Sequence, residues 1–185
     1  MLILASASPR RAEILRSAGI AFERRSAGSI DESVIPGEAP AEYVQRLAIE
    51  KAAVVPVSGA EIILGADTTV VAEGEILAKP EDAQDAARML RMLSGRDHQV
   101  LTGICLRSAE ESIVDLAATT VTFARLDEAE IDEYVATGEA FDKAGAYGIQ
   151  GHASKFVTAV NGCYFNVVGL PIALVYRHLR QLTAT

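Results

Sequence analysis

The chain has 185 residues, half of them hydrophobic, and its 17 basic and 25 acidic side chains give a formal net charge of −8. This length and composition predict a single domain over residues 1–185 with a large apolar core, and they exclude a largely disordered chain. The acidic balance argues against nucleic acid or an anionic membrane surface as a partner. Apolar runs stay short of the ~18 residues of a membrane span, and the two cysteines lack disulfide-framework or zinc spacing. We therefore expect a cytoplasmic protein.

A short apolar strand from Leu2 to Ala5 and a capped helix open the chain. Ser8 suits the N-cap of this helix, Pro9 its first position and Gly19 its end. Free N–H groups and the positive end of the helix dipole make this strand–turn–helix start a candidate anion site. The residues predicted to form the buried stripe of the helix are Ile14, Leu15 and Ala18.

Polar side chains surround this first turn. Ser6 and Ser8 contribute hydroxyl groups, while Arg10 and Arg11 contribute charge and a planar fork suited to phosphate oxygens. Two arginines in the first turn oppose the helix dipole, and a bound anion explains that conflict better than stability does. The alternative is a capped helix with two solvated arginines.

The next segment predicts an edge strand within 22–27, a loop over 29–39 and a helix from Pro40 to about Val55. The loop carries Glu32 within an acidic pair, which is usually solvated, and the helix carries Lys51, which is normally exposed. The apolar face of this helix is predicted to consist of Tyr43, Val44, Leu47, Ala48 and Ala52.

The apolar run from Ile62 to Val71 predicts a buried strand that carries one carboxylate, Asp67. A carboxylate in such surroundings is costly unless it is paired, hydrogen-bonded or bound to a metal. A lone aspartate at this position usually caps a turn. The phosphate-binding character of the first turn favours a working carboxylate instead.

Hairpins and helices alternate in the second half of the chain. The segments predicted there are a hairpin about Glu73-Gly74-Glu75, a helix over 81–93, paired strands over 97–106 and 112–123, a helix over 128–135, a glycine-rich segment over 142–151, a hairpin over 156–168 with its turn at Asn161-Gly162, and a last helix headed by Pro171. Early strand–helix alternation and later hairpins together predict a mixed α/β fold.

The candidate polar groups combine carboxylates, cations and an amide. They are Ser8, Arg10, Arg11, Glu32, Lys51, Asp67, Lys79, Lys143 and Gln150. Carboxylates with several cations are typical of metal-assisted phosphoryl chemistry, in which Mg²⁺ bridges carboxylate and phosphate oxygens. The sequence has no Walker A lysine loop, which argues against a P-loop NTPase.

In these motifs the sequence resembles the Maf family of nucleoside triphosphate pyrophosphatases, from Leu2 to about Leu179. The motifs are S-A-S-P-R-R at 6–11, D-E-S at 31–33, E-K-A at 50–52, G-A-D-T at 65–68, K-P at 79–80, S-G at 94–95, K-A-G-A-Y-G-I-Q-G at 143–151 and V-G-L-P at 168–171. Each is weak alone, but all occur in order at the family's spacing.

The resemblance implies hydrolysis of nucleoside triphosphates between the α and β phosphates, with a divalent metal such as Mg²⁺ or Mn²⁺. It implies a mixed bent sheet with helices on both faces and two lobes around a cleft, as in inosine triphosphatase, and a homodimer. It assigns Asp67 as proton acceptor and puts Glu32, Lys51 and Lys79 in the active site. Our mechanistic hypothesis is that Asp67 activates the attacking water and shares the metal with Glu32. The alternative that either carboxylate is only a metal ligand stays open, and with it the choice of base between Asp67 and Glu32.

The resemblance also divides the family by substrate. This chain has the Arg10, Thr68 and Gln150 of the branch that acts on dTTP and UTP. The amide of Gln150 donates and accepts hydrogen bonds, which suits the O4 and N3–H edge of a pyrimidine. We expect the Ser6–Arg11 turn and Lys143 to contact the substrate too, and modified pyrimidine nucleotides are further candidate substrates.

Two other functions fit parts of the pattern. One is a non-catalytic nucleotide-binding regulator linked to septum formation and cell-division arrest, but the retained carboxylates and lysines argue against it. The other is a non-enzymatic α/β interaction module, for which the candidate residues would lie on unrelated faces. An assay of pyrophosphate release separates the enzyme from both.

Overall fold

A computed structural model describes residues 1–26, 28 and 30–183, so Ala27 and Ser29, at the ends of the predicted edge strand and loop, lie outside the described residues. The strands are β1 (Leu2–Leu4), β2 (Phe22–Arg24), β3 (Ile62–Ala72), β4 (Glu75–Leu77), β5 (Asp97–Arg107), β6 (Ser112–Phe123) and β7 (Val157–Asn161). The helices are α1 (Pro9–Ser17), α2 (Pro40–Ala53), α3 (Ala83–Leu93), α4 (Glu128–Ala136), α5 (Tyr164–Val168) and α6 (Ile172–Thr183). Short 3₁₀ helices span Glu139–Asp142, Ala144–Ala146 and His152–Phe156.

The strands form one mixed sheet in the order β2-β1-β3-β5-β6-β7, with β4 paired to β3 outside this path. Strand β1 runs parallel to both neighbours, with Leu2 opposite Phe22 on one side and Ile62 on the other. Strands β3 and β4 are antiparallel, as are β6 and β7. The predicted mixed α/β fold is therefore confirmed, and so is the hairpin about Gly74.

The predicted hairpin over 156–168 is wrong in its second arm. Strand β7 pairs with β6, but the following residues form helix α5. The side chain of Asn166 is buried in that helix and donates to the Val100 carbonyl at 2.9 Å and to the Thr119 hydroxyl at 3.0 Å. These contacts override the β propensity of a segment rich in aromatic and β-branched residues.

Helix α1 begins and ends as predicted. The Ser8 hydroxyl accepts from the Arg11 N–H at 3.4 Å, and Gly19 follows the helix with a φ of 68°. The predicted buried stripe is wrong at its end, because Ala18 is exposed. Ala18 lies after the last helical residue, where the chain already turns, and Ala12 is buried on the helix instead.

Contacts divide the chain into two compact units. The first contains Met1–Thr68, Thr102–Ala117 and Gly169–Thr185, and the second contains Thr69–Leu101 and Ala118–Val168. In the first unit, all five predicted core residues of α2 are buried. In the second unit, aromatic rings of Phe123, Tyr147 and Phe156 join the core. No helix in the described part of the chain combines the length and apolar character of a membrane span.

Candidate active site

Helix α2 and strand β3 approach each other closely because β3 carries a glycine. A Cβ atom on Gly65 would lie 2.1 Å from the Ala48 carbonyl oxygen and 2.7 Å from the Ala52 nitrogen. A glycine inside a strand is a sequence signal for such an approach. The backbones therefore meet beside Lys51 on α2 and Asp67 on β3.

Asp67 and Lys51 form a buried ion pair at this contact. The Lys51 Nζ donates to the Asp67 Oδ1 at 2.5 Å, and the side chains are only 13% and 11% exposed. Lys51 is thus not the exposed lysine that a helix position normally predicts. The apolar run of β3 buries a carboxylate, and α2 supplies the cation that compensates it.

Glu32 completes this constellation from the loop before α2. Its Oε1 lies 2.7 Å from the Lys51 Nζ, and the Glu32 side chain is 46% exposed. The Tyr43 hydroxyl donates to the Glu32 backbone carbonyl at 2.9 Å, which ties the loop to the helix. Two carboxylates distant in sequence therefore face one ammonium group.

The electrostatics of Asp67 suit a proton acceptor. Burial raises the pKa of Asp67 above its ordinary value, although the charges of Lys51 and Arg11 act in the opposite direction. A carboxylate whose pKa is raised by burial is a stronger base than an exposed one. Burial, together with the charges of Asp67 and Glu32, also raises the pKa of Tyr43 to about 12.

The turn after β1 is fixed by Arg11. Its Nη1 donates to the Ser6 hydroxyl at 3.2 Å, its Nη2 to the Thr68 hydroxyl at 3.1 Å and its Nε to the Gly169 carbonyl at 2.8 Å. Ser6 also accepts from the Ser8 N–H at 3.2 Å. Three of the five N–H groups of Arg11 thus hold the first turn against the residue that follows Asp67.

Thr68 is the centre of this hydrogen-bond network. Its hydroxyl lies 2.9 Å from the Thr102 hydroxyl and 3.3 Å from the Gly169 carbonyl. Burial lowers the pKa of Arg11, and the neighbouring charge of Arg10, itself half-buried, contributes in the same direction. The first turn therefore concentrates positive charge and N–H donors next to Asp67.

The predicted residues Lys79, Lys143 and Gln150 belong to the second unit. Lys79 follows β4 and is exposed, as is Gln150. The Lys143 Nζ donates to the Glu139 carbonyl at 2.8 Å and to the Asp142 carboxylate at 2.5 Å. Their roles toward a substrate stay predictions.

Sequence reasoning missed Glu139, whose carboxylate organises the glycine-rich segment of the second unit. This carboxylate accepts from the Tyr134 hydroxyl at 3.0 Å and from the His152 N–H at 2.9 Å. A Cβ atom on Gly151 would lie 2.3 Å from it. The only sequence signal was the glycine density, because a glutamate thirteen residues from its partner has no local pattern.

Two carboxylates of the first unit, Glu32 and Asp67, are candidate ligands for a divalent metal. Among the described residues no cluster of three or more His, Cys, Asp or Glu side chains could hold a metal ion. Glu32 and Asp67 nevertheless face the same ammonium group, so carboxylate oxygens converge where positive charge is stabilised. Two carboxylates completed by water and phosphate oxygens fit the way in which Mg²⁺ is usually bound.

The fold and this constellation define an α/β protein with the groups of phosphoryl chemistry: paired carboxylates, a shared lysine and a cationic helix start. The family model described as "Maf-like protein" matches residues 1–182, and the chain belongs to this family.

Known relatives and a solved structure agree with that membership. The "dTTP/UTP pyrophosphatase" of Koribacter versatilis is 53% identical over 181 residues, which span 97% of this chain and 93% of the relative. The "dTTP/UTP pyrophosphatase" of Anaeromyxobacter dehalogenans (strain 2CP-C) is 54% identical over 184 residues, with the same shares covered. A HAM1 protein from Coxiella burnetii has a similar fold, with a TM-score of 0.52 and 16% identity over 97% of this chain and 98% of that one. The expected inosine-triphosphatase-like fold class is therefore confirmed as a similarity of fold.

Proposed function

We propose that this chain is a nucleoside triphosphate pyrophosphatase that hydrolyses dTTP and UTP to the monophosphate and pyrophosphate. The relatives at 53% and 54% identity, matched over nearly their whole length, carry the name of this activity. The structural observation that carries the proposal is the buried Asp67, paired with Lys51 and facing Glu32. An interaction module has no need of a buried carboxylate held beside a second one.

Asp67 is the proton acceptor in this proposal. It takes a proton from the water that attacks the α phosphorus. The rise in its pKa makes Asp67 a stronger base for this step than an exposed aspartate. Lys51 donates to the Asp67 carboxylate at 2.5 Å, which orients it, and the charge of Lys51 favours its ionised form. Glu32 approaches the same lysine from the solvent side, since its side chain is half exposed.

The cations of the site neutralise the phosphates. The turn over 6–11 contributes N–H groups, the Ser6 and Ser8 hydroxyls and the charge of Arg10 for the triphosphate oxygens. Lys79 and Lys143 are proposed as further phosphate contacts.

Selectivity for the nucleobase of the substrate is proposed to depend on Arg10, Thr68 and Gln150. Gln150 would read the pyrimidine edge with its amide, since an amide donates and accepts. Modified pyrimidine nucleotides that preserve this edge are candidate substrates as well.

A divalent metal, Mg²⁺ or Mn²⁺, is part of the proposal, held by Glu32 and Asp67. When bound there, such an ion would supply polarisation of the phosphoryl oxygens and stabilisation of the charge on the leaving pyrophosphate. A cytoplasmic location and a homodimer stay predictions.

The test is Asp67→Asn, assayed by pyrophosphate release from dTTP and UTP with Mg²⁺. We expect turnover to fall by about 10²- to 10⁴-fold, because a general base contributes that much, while the variant stays folded and still binds nucleotide. Asp132→Asn, an exposed aspartate on α4, is the matched control and should keep full activity. Wild-type turnover in Asp67→Asn removes Asp67 from the role. A wild-type protein that binds nucleotide without releasing pyrophosphate supports the non-catalytic regulator instead.

A further inference from the structure

Arg46 on helix α2 holds the loop that carries Glu32. Its Nε donates to the Glu38 Oε1 at 2.6 Å and its Nη2 to the Glu38 Oε2 at 2.9 Å. The same Nη2 donates to the Ser33 carbonyl at 3.0 Å. One guanidinium therefore contacts the loop at two points, at Ser33 next to Glu32 and at Glu38 just before α2.

We call the contacts of Arg46 with Glu38 and the Ser33 carbonyl the clamp. The clamp is partly shielded from solvent and is connected to other side chains of α2. The side chains of Arg46 and Glu38 are 22% and 8% exposed, so water and salt screen this pair less than an exposed one. The Arg46 guanidinium carbon lies 5.6 Å from the centre of the Tyr43 ring, and Tyr43 itself donates to the Glu32 carbonyl. The Arg46 Nη1 also reaches Glu50 at 3.3 Å. Because Arg46 binds both oxygens of Glu38, this pair fixes the orientation of the two side chains as well as their distance.

The clamp and the candidate site share one helix. Lys51, which pairs with Asp67 and Glu32, lies on α2 five residues after Arg46. Because the Glu32 side chain is half exposed, solvent screens its attraction to Lys51. The position of the Glu32 carboxylate therefore depends on how firmly the loop backbone is held. The Tyr43 hydroxyl donates to the Glu32 carbonyl and Arg46 donates to the Ser33 carbonyl, while the Ser33 N–H donates to the Asp31 Oδ1 at 2.9 Å within the loop.

We propose that Arg46, together with Glu38, is a positioning residue that presents the Glu32 carboxylate for metal binding beside Asp67. In this proposal Arg46 acts through its contacts with the loop, as residues that orient metal ligands do. This inference rests on the proposed function for its metal. Removing such an orienting contact typically weakens metal affinity by about 10- to 100-fold.

The experiment measures Mn²⁺ binding to the purified protein by electron paramagnetic resonance of the free ion, and turnover of dTTP against Mn²⁺ concentration. For Arg46→Gln and Glu38→Gln we expect Mn²⁺ affinity to fall about tenfold or more, with turnover at saturating Mn²⁺ close to wild type. Hydrogen–deuterium exchange of the amides over 30–38 should accelerate in both variants. Should Arg46→Gln fail to fold, Glu38→Gln, a change of one atom, decides.

Arg25→Gln is the matched control. Arg25 also holds both oxygens of one glutamate, Glu61, at 2.8 and 2.6 Å, so its loss removes a similar ion pair from the same unit. It should lower the melting temperature without changing Mn²⁺ affinity. The proposal is overturned if neither clamp variant binds Mn²⁺ more weakly, if Arg25→Gln weakens binding as much, or if the wild type binds no Mn²⁺. A wild type that binds Mn²⁺ but releases no pyrophosphate refutes the proposed function and leaves this inference standing.

Discussion

Replacing Lys51 by methionine tests whether the buried pair with Asp67 is a structural necessity. Methionine fills most of the lysine volume, so the change removes the charge with little change in packing. The Asp67 side chain is 11% exposed, and removing one partner of a buried pair costs about 3–5 kcal/mol because the remaining charge is uncompensated. For a chain of this length, that corresponds to a fall in melting temperature of about 6–20 °C.

The pH dependence of this loss has a defined sign. Burial raises the pKa of Asp67, and Lys51 opposes that rise, so Lys51→Met raises the Asp67 pKa further. A folded-state pKa above the unfolded value favours the protonated acid, and the associated stability is lost as pH rises through the folded pKa. The variant should therefore be least stable, relative to wild type, at neutral pH, and the difference should shrink as the pH approaches the ordinary aspartate value of 3.8.

The assay is urea unfolding of the wild type, Lys51→Met and the double variant Lys51→Met with Asp67→Asn, at pH 7 and near pH 4. We expect the double variant to recover most of the stability lost at pH 7, because no uncompensated buried carboxylate remains, while its turnover stays as low as that of Asp67→Asn. A Lys51→Met protein as stable as wild type at pH 7, or a deficit that Asp67→Asn does not relieve, would refute the reasoning.

Three further predictions concern packing, a buried histidine and base recognition. Gly65→Ala should destabilise the fold by about 1–3 kcal/mol, because its Cβ atom would collide with the Ala48 carbonyl oxygen; an unchanged melting temperature would contradict the close approach. Tyr147→Phe should cost about 1–3 kcal/mol in urea unfolding, because it deprives the buried His98 Nε2 of its partner at 2.8 Å; a neutral effect would show that water replaces the hydroxyl. Gln150→Glu should lower kcat/KM for dTTP and UTP about 5- to 100-fold, because an ionised carboxylate cannot donate; equal kcat/KM in both proteins would remove Gln150 from base recognition.

Local signals were sufficient wherever neighbouring residues decide the structure. The Ser8 cap and the Gly19 end of α1 follow from contacts within about one helical turn, and the apolar face of α2 follows from helical periodicity; each is confirmed. The sequence also identified Asp67 as a buried carboxylate, because a charge in a strand-length apolar run needs a compensating partner whatever the fold.

Errors occurred where a distant contact outweighs local propensity. The segment that forms α5 has the composition of a strand. Its Asn166 side chain nevertheless donates to Val100 on β5 and to Thr119 on β6, and these contacts hold the segment as a helix. Likewise, Lys51 has the pattern of an exposed helix position, and only the approach of α2 to β3 buries it.

What this chain determines by itself is the set of secondary-structure elements and the kinds of group at their ends, since capping, turn geometry and apolar periodicity act over a few residues. Only the tertiary structure decided which charges meet. A carboxylate, a lysine and a loop glutamate from three separate segments converge because a glycine in β3 admits the backbone of α2, and no periodicity along the chain encodes that distance.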